Sequence, residues 1–169
     1  IPTIVDATIG GYKVDSMEGV VTWKRYLRVA AEYPPQDEQL LARISSMVAF
    51  DFLINNTDRW SGANCKGSPD GRYLYYMDNT LAFGPEPLGH PKVMTYLTRV
   101  QRFSASMVRE LRRLNRDDLQ EVASKDTGPY RAILNTEEID AVLARRDVLV
   151  EYIDKLVAEH GETAVLVFP

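Results

Sequence analysis

The run DFLINNTDRWSGAN, Asp51 to Asn64, closes an apolar stretch with two asparagines, a threonine and the pair Asp58-Arg59 before Ser-Gly-Ala-Asn64. Carboxylates, a guanidinium and carboxamides are hydrogen-bonding groups of fixed geometry, more of them than a simple turn needs. Twenty residues past Asp58 stands a second carboxylate, Asp78, followed by Asn79. Between them GSPDG, Gly67 to Gly71, is a turn in which Pro presets one dihedral and Gly accepts positive φ. The aromatic run Arg72 to Met77 then reads as a strand. Folded back against Cys65-Lys66 at about 3.3 Å per residue, it sets Asp78 beside Ser61 to Asn64. Asp58, Asn64 and Asp78 thus converge on one end of a hairpin. Oxygen ligands without His or Cys suit a hard cation such as Mg²⁺.

Those parts match the demands of phosphoryl transfer. One carboxylate orients or deprotonates an acceptor hydroxyl, a carboxamide holds one metal, and a carboxylate after the hairpin holds the metals that bridge the phosphates. The residues also carry a family resemblance. FDFLINNTDRW (Phe50 to Trp60) followed by YMDNTLAFG (Tyr76 to Gly84) resembles the catalytic core of the Golgi secretory kinases, the casein-kinase and xylosylkinase group called family with sequence similarity twenty. Their pattern is F-D-F-L, two residues, N-x-D-R-H, then after a hairpin D-N-G, two residues, F-G. The resemblance continues, fainter, from Trp23 to Val157, and the wider clan of HipA-type and phosphoinositide kinases shares its logic.

The resemblance implies that Asp58 is the catalytic acid/base and that Asp78 binds the metal and, through it, the nucleotide. Asn64 as a further metal and cofactor ligand rests on the wider clan and on the hairpin geometry. ATP with Mg²⁺ or Mn²⁺ is the implied cofactor set. Asp51, Arg59 and Asn79 are supporting residues, with Asp51 a structural carboxylate bonding the loop and Arg59 paired internally. Three departures stand out. Trp60 replaces the usual His, Thr80 replaces the Gly after Asp-Asn, and Asn64 lies six residues after Asp58, where the protein-kinase pattern has about five.

The elements that must position these groups are mostly helical. Ile1 to Trp23 reads as extended segments and turns cut by glycines, and Thr22 to Tyr33 as a short helix closed by Pro34-Pro35. Gln36 to Asn56 has helical apolar spacing through Leu40, Leu41, Ile44, Met47, Val48 and Phe52. Gly84 to Pro91 reads as an irregular loop. Ser104 to Leu114 is an arginine-rich helix, Asn115 caps a helix to Ala123, and Asn135 with Glu138 opens a last helix, Thr136 to His160, that stops at Gly161. Trp60 and the Tyr73/Tyr75 face read as core, and Cys65 as a small buried residue.

The expected fold is mainly α (α+β overall), the C-terminal lobe of a protein-kinase-like fold with a small β-hairpin carrying the metal-binding Asp. Within it residues 1–35 form a connecting segment, 36–56 the central helix, 57–84 the catalytic loop, hairpin and metal-binding segment, and 92–161 a helical subdomain. About 35 residues before the central helix are too few for a strand-built lobe, so the N-terminal lobe is expected from an upstream segment or a second chain. The net charge of −4 carries no electrostatic footprint for nucleic acid or anionic membrane. No apolar run approaches the roughly 18 residues of a membrane span. A lone cysteine allows no intrachain disulfide, whereas the Golgi enzymes are disulfide-rich, and this points to a cytoplasmic, bacterial relative. The expected reaction is ATP-dependent transfer to a hydroxyl acceptor, protein Ser/Thr first and a sugar or lipid second. Transfer of AMP on the same fold and an inactive kinase-like binding module are the alternatives.

Overall fold

A computed structural model describes residues 3–125 and 133–169. The chain opens with three short strands, β1 (Val5–Asp6), β2 (Thr8–Ile9) and β3 (Tyr12–Lys13), the last two paired as a hairpin. Helix α1 follows at Met17–Tyr26, earlier than the Thr22 to Tyr33 helix expected from sequence. Ser16 is the reason for the early start: its hydroxyl accepts from the Gly19 N–H at 3.0 Å and caps the first turn. Gly19, read from sequence as a chain breaker, lies buried inside this helix because α1 rests directly on the β3 backbone. A Cβ there would sit 1.8 Å from the Lys13 carbonyl oxygen.

A 3₁₀ turn, Pro35–Asp37, leads into the central helix α2 (Glu38–Ile54). Leu41, Ile44, Met47, Val48 and Phe52 are buried, as the apolar period requires, each worth roughly 1.5–3 kcal/mol of transfer free energy. A second 3₁₀ turn (Arg59–Ser61) enters the hairpin β4 (Cys65–Gly67) and β5 (Leu74–Tyr76), and β1 pairs on the outer side of β4 to give the order β1-β4-β5, all antiparallel. Tyr73 lies outside the strand and is exposed, contrary to its assignment to the core, with the Arg43 guanidinium 5.4 Å over its ring.

The remainder is helical: α3 (Pro91–Leu97), α4 (Ala105–Arg113), α5 (Arg116–Lys125), α6 (Thr136–His160) and a short α7 (Glu162–Val165) that the sequence did not announce. Asn135 and Glu138 form the expected capping box at the start of α6. Helices α3 and α6 pack on α2, so the central helix is covered on several sides. After α7 the chain pairs back on residues 103–105, where Phe103 N donates to Val165 O at 2.7 Å and Ala105 N to Phe168 O at 2.8 Å. The expected mainly α architecture is therefore present, with two small antiparallel sheets in place of one hairpin. No described helix is long and apolar enough to cross a membrane.

Gly19→Ala provides a test of the contact between α1 and β3. In an open helix this change gains up to about 1 kcal/mol. Here the added methyl meets backbone, and the expected outcome is a loss of roughly 1–3 kcal/mol, read as a lower urea midpoint at unchanged m-value.

Candidate active site

The site is assembled where α2 ends. Asn55 takes the left-handed conformation (φ 58°) and stops the helix. Asn55 N donates to Phe52 O at 3.2 Å and Asn56 N to Asp51 O at 2.8 Å, the bonding pattern of a Schellman motif with Asn in the glycine position. Asn56, fully buried, then directs the loop. Its Oδ1 accepts from Asp58 N at 3.0 Å, and its Nδ2 donates to Asn79 Oδ1 at 3.1 Å, across to the segment after the hairpin.

Arg59 is the centre of the assembly and is completely buried. Its Nε donates to both Asp51 oxygens, at 3.2 and 3.0 Å, and Nη2 to Asp51 Oδ1 at 3.1 Å and Asn79 Oδ1 at 2.6 Å. Nη1 donates to Asn64 O at 2.8 Å and to Met77 O. The five N–H donors of the guanidinium are all engaged, and they join the central helix, both sides of the hairpin and the residue after Asp78. The sequence expected Asp51 to bond the loop and Arg59 to pair internally; the two are each other's partners. Burial pushes the Asp51 carboxyl up to about 6, with the Arg59 guanidinium opposing the shift.

The hairpin register brings the backbone of Asp78 next to that of Asn64. Cys65 faces Tyr76 and Met77 N donates to Asn64 O at 3.1 Å, so Asp78 follows directly on the residue paired with Asn64. Asn64 Nδ2 donates to Asp58 Oδ2 at 2.9 Å and to Asp58 O at 3.1 Å, which ties the two putting-forward ends of the loop together. Asp78 is exposed and adopts φ 48°. Thr80 accounts for its own departure from the family pattern: its hydroxyl and its N–H donate to Asp78 Oδ1, at 2.6 and 3.2 Å, and hold the Asp78 carboxyl below the usual range. Cys65 is buried against Met47, and burial pushes its thiol up to about 12, which keeps it out of any nucleophilic role at neutral pH.

A family model described as Golgi casein kinase, C-terminal, Fam20 matches residues 13–165. The chain belongs to this family. No curated protein matches it. Membership of the Fam20 kinases makes it kinase-like, and kinases as a class use ATP and a divalent cation. The residues fit such a cation. Asp58 Oδ1, Asn64 Oδ1 and Asp78 Oδ2 have no hydrogen-bond partner among the described residues, because each side chain's other polar atom takes the internal bonds. No group of three His, Cys, Asp or Glu among the described residues could hold a metal unaided. Mg²⁺ is characteristically held by one or two carboxylates plus phosphate oxygens and water, so two carboxylates and a carboxamide are a suitable set for a metal that arrives with nucleotide.

The supporting residues whose bonds the sequence reading did not assign are Asn55, Asn56 and Thr80. Their signal was present in the paired carboxamides at the helix end and in a hydroxyl two residues after an Asp, both of which favour local backbone bonding.

The buried pair sets a measurable stability term. Asp51 has its ordinary value of 3.8 raised to about 6, so more protons are bound folded than unfolded in that window, and this group's contribution to stability falls as pH rises through it. Arg59→Met leaves the carboxylate without its partner and should cost roughly 3–5 kcal/mol at pH 8. At pH 5, where Asp51 takes a proton, the gap from wild type should be smaller, and Asp51→Leu added to Arg59→Met should restore much of the loss. Urea denaturation of the three proteins at both pH values reads this.

Proposed function

We propose that this chain is the C-terminal lobe of an atypical kinase that transfers the γ-phosphoryl group of ATP to a hydroxyl, with protein Ser or Thr as the first acceptor class. The observation that carries this reading is the gathering of Asp58, Asn64 and Asp78 on one loop and hairpin end braced by Arg59. In this reading Asp58 accepts the proton of the acceptor hydroxyl through Oδ1 as that oxygen bonds to the γ-phosphorus and ADP leaves. Asp78 and Asn64 would hold a divalent cation, Mg²⁺ or Mn²⁺, which would supply positive charge to offset the negative charge of the phosphates. Asn64 Nδ2 fixes the Asp58 carboxylate and leaves its Oδ1 available for the cation, so one carboxamide would serve both halves of the site. The upstream lobe that would close over the nucleotide comes from the same polypeptide or from a second chain.

Trp60 favours a second reading, a kinase-like module that binds nucleotide without transferring phosphate. It stands where related enzymes have His, and its ring stacks on Tyr96 at 4.4 Å and leans on Trp23 at 5.3 Å, a structural use of the position.

Two substitutions in the full polypeptide separate these readings. Asp78→Asn removes a charge from the metal site and should abolish Mg²⁺-dependent ATP binding by calorimetry, with circular dichroism unchanged; metal-dependent binding at wild-type strength would remove Asp78 from the site. Asp58→Ala acts on the chemical step, so kcat with radiolabelled ATP should fall by about 10²–10⁴-fold with little change in ATP affinity. Nucleotide binding by the wild type without transfer to any protein, sugar or lipid acceptor would leave the binding module.

A further inference from the structure

A second buried arginine, Arg145, bonds the far end of the segment that begins at Asp78. It lies on α6 and is completely buried. Its Nε donates to Leu53 O at 2.8 Å, satisfying a carbonyl in the last turn of α2. Its Nη1 donates to Gly84 O at 2.9 Å and to Glu86 O at 2.6 Å. Burial lowers the readiness of the guanidinium to stay charged, and the neighbouring Glu86 carboxylate opposes that shift. One side chain thus joins the end of the central helix to the stretch that follows the metal-binding Asp.

That stretch needs external support. Asp78 and Phe83 are both non-glycine residues at positive φ, 48° and 63°, conformations that cost of order 1–3 kcal/mol each and persist only when the surroundings over-determine them. At its start the segment is held by Arg59 and Asn56 through Asn79 Oδ1. At its far end Phe83 N donates to Ile54 O at 2.5 Å, Asn55 Nδ2 to Glu86 Oε2 at 2.7 Å, and His90 N to Asn55 Oδ1 at 2.7 Å. Arg145 is the contribution to this far anchor that comes from a distant part of the chain. Gly84 is shaped to it, since a Cβ at that position would fall 2.5 Å from Glu86 Oε2.

We infer that Arg145 is a positioning residue of the phosphotransfer site: with Arg59 it clamps the Asp78–Glu86 segment between two buried guanidinium groups and so sets where the Asp78 carboxylate stands. The proposal rests on the reading of Asp78 as a metal ligand. A residue supporting a ligand in this way typically changes metal affinity or activity by about 10–100-fold when removed. Arg145→Lys keeps the cation but offers one nitrogen in place of two, so it cannot serve Leu53 O and the two segment carbonyls from the separate positions that Nε and Nη1 occupy.

The test is Mn²⁺ titration of the full polypeptide at saturating ADP, followed by electron paramagnetic resonance of the free ion, with amide hydrogen exchange on the same samples. For Arg145→Lys the half-saturating Mn²⁺ concentration should rise by about tenfold or more, turnover should recover at high Mn²⁺, and the Phe83 and Gly89 amides should exchange faster while Met77 stays protected. Wild-type Mn²⁺ affinity in Arg145→Lys, alongside lost affinity in Asp78→Asn, would overturn the clamp and leave the kinase reading intact. Absence of Mn²⁺–ADP binding by the wild type would overturn that reading and the proposal with it. If Arg145→Lys does not fold, hydrogen exchange of the wild type decides: Mn²⁺ with ADP should slow the Phe83 and Gly89 amides, because a clamp coupled to the metal site is stabilised by the metal in return, and unchanged exchange at both amides overturns the clamp.

Discussion

The structure around the site depends on one buried ion pair, Asp51 with Arg59, at 3.0 Å and with neither side chain more than 3% exposed. Both charges have left water, and such a desolvation cost is offset only when geometry is good and the remaining donors are satisfied. Here they are, and the way they are satisfied is the point. Two of the guanidinium's bonds go to the Asn64 and Met77 carbonyls and one to Asn79, so neutralising Asp51 also fixes the hairpin against the central helix. A lysine offers a point charge without the planar fork and could not reach these acceptors together.

Around that pair the backbone departs from ordinary conformations in a few places, each with a bonding reason. Asn55 in the left-handed region ends α2 and uses both side-chain atoms to hold residues 86 and 90. Asp78 turns the chain out of the strand, and Thr80 bonds its Oδ1 from both hydroxyl and N–H. Asp58, Asn64 and Asp78 each spend one polar atom on internal bonds and leave another without a partner among the described residues. Asn64 does this most plainly, with its NH₂ on Asp58 and its oxygen without a partner among the described residues.

Trp60 shows how a departure from a family pattern can be absorbed. Aromatic packing with Tyr96 and Trp23 anchors the residue next to Arg59 without needing the histidine's hydrogen bonds. Arg99 in turn lies 4.4 Å from the Tyr96 ring centre, extending the stack to the surface. The loop therefore has a second, apolar anchor beside its ionic one.

The central helix, the hairpin turn, the capping box of α6 and the register that sets Asp78 beside the residue paired with Asn64 were all legible in the sequence, because each depends on local spacing: a 3.6-residue period, a Pro-Asp-Gly turn, a two-residue pleat. The start of α1 was not legible. Gly19 reads locally as a breaker, and only the approach of the helix to the Lys13 carbonyl shows why glycine is needed there. Nor could spacing say that Asp51 and Arg59 would pair with each other, since one lies on a helix and the other in a loop whose path is set by Asn56. Arg145 lies farther still from what it holds. It sits 92 residues from Leu53 and 61 from Gly84 along the chain, and a long-range bond to a backbone carbonyl leaves no pattern in side-chain types. The sequence by itself determined which groups could do chemistry; tertiary packing decided which buried cations hold them in place, because those partners are chosen by proximity in the folded chain.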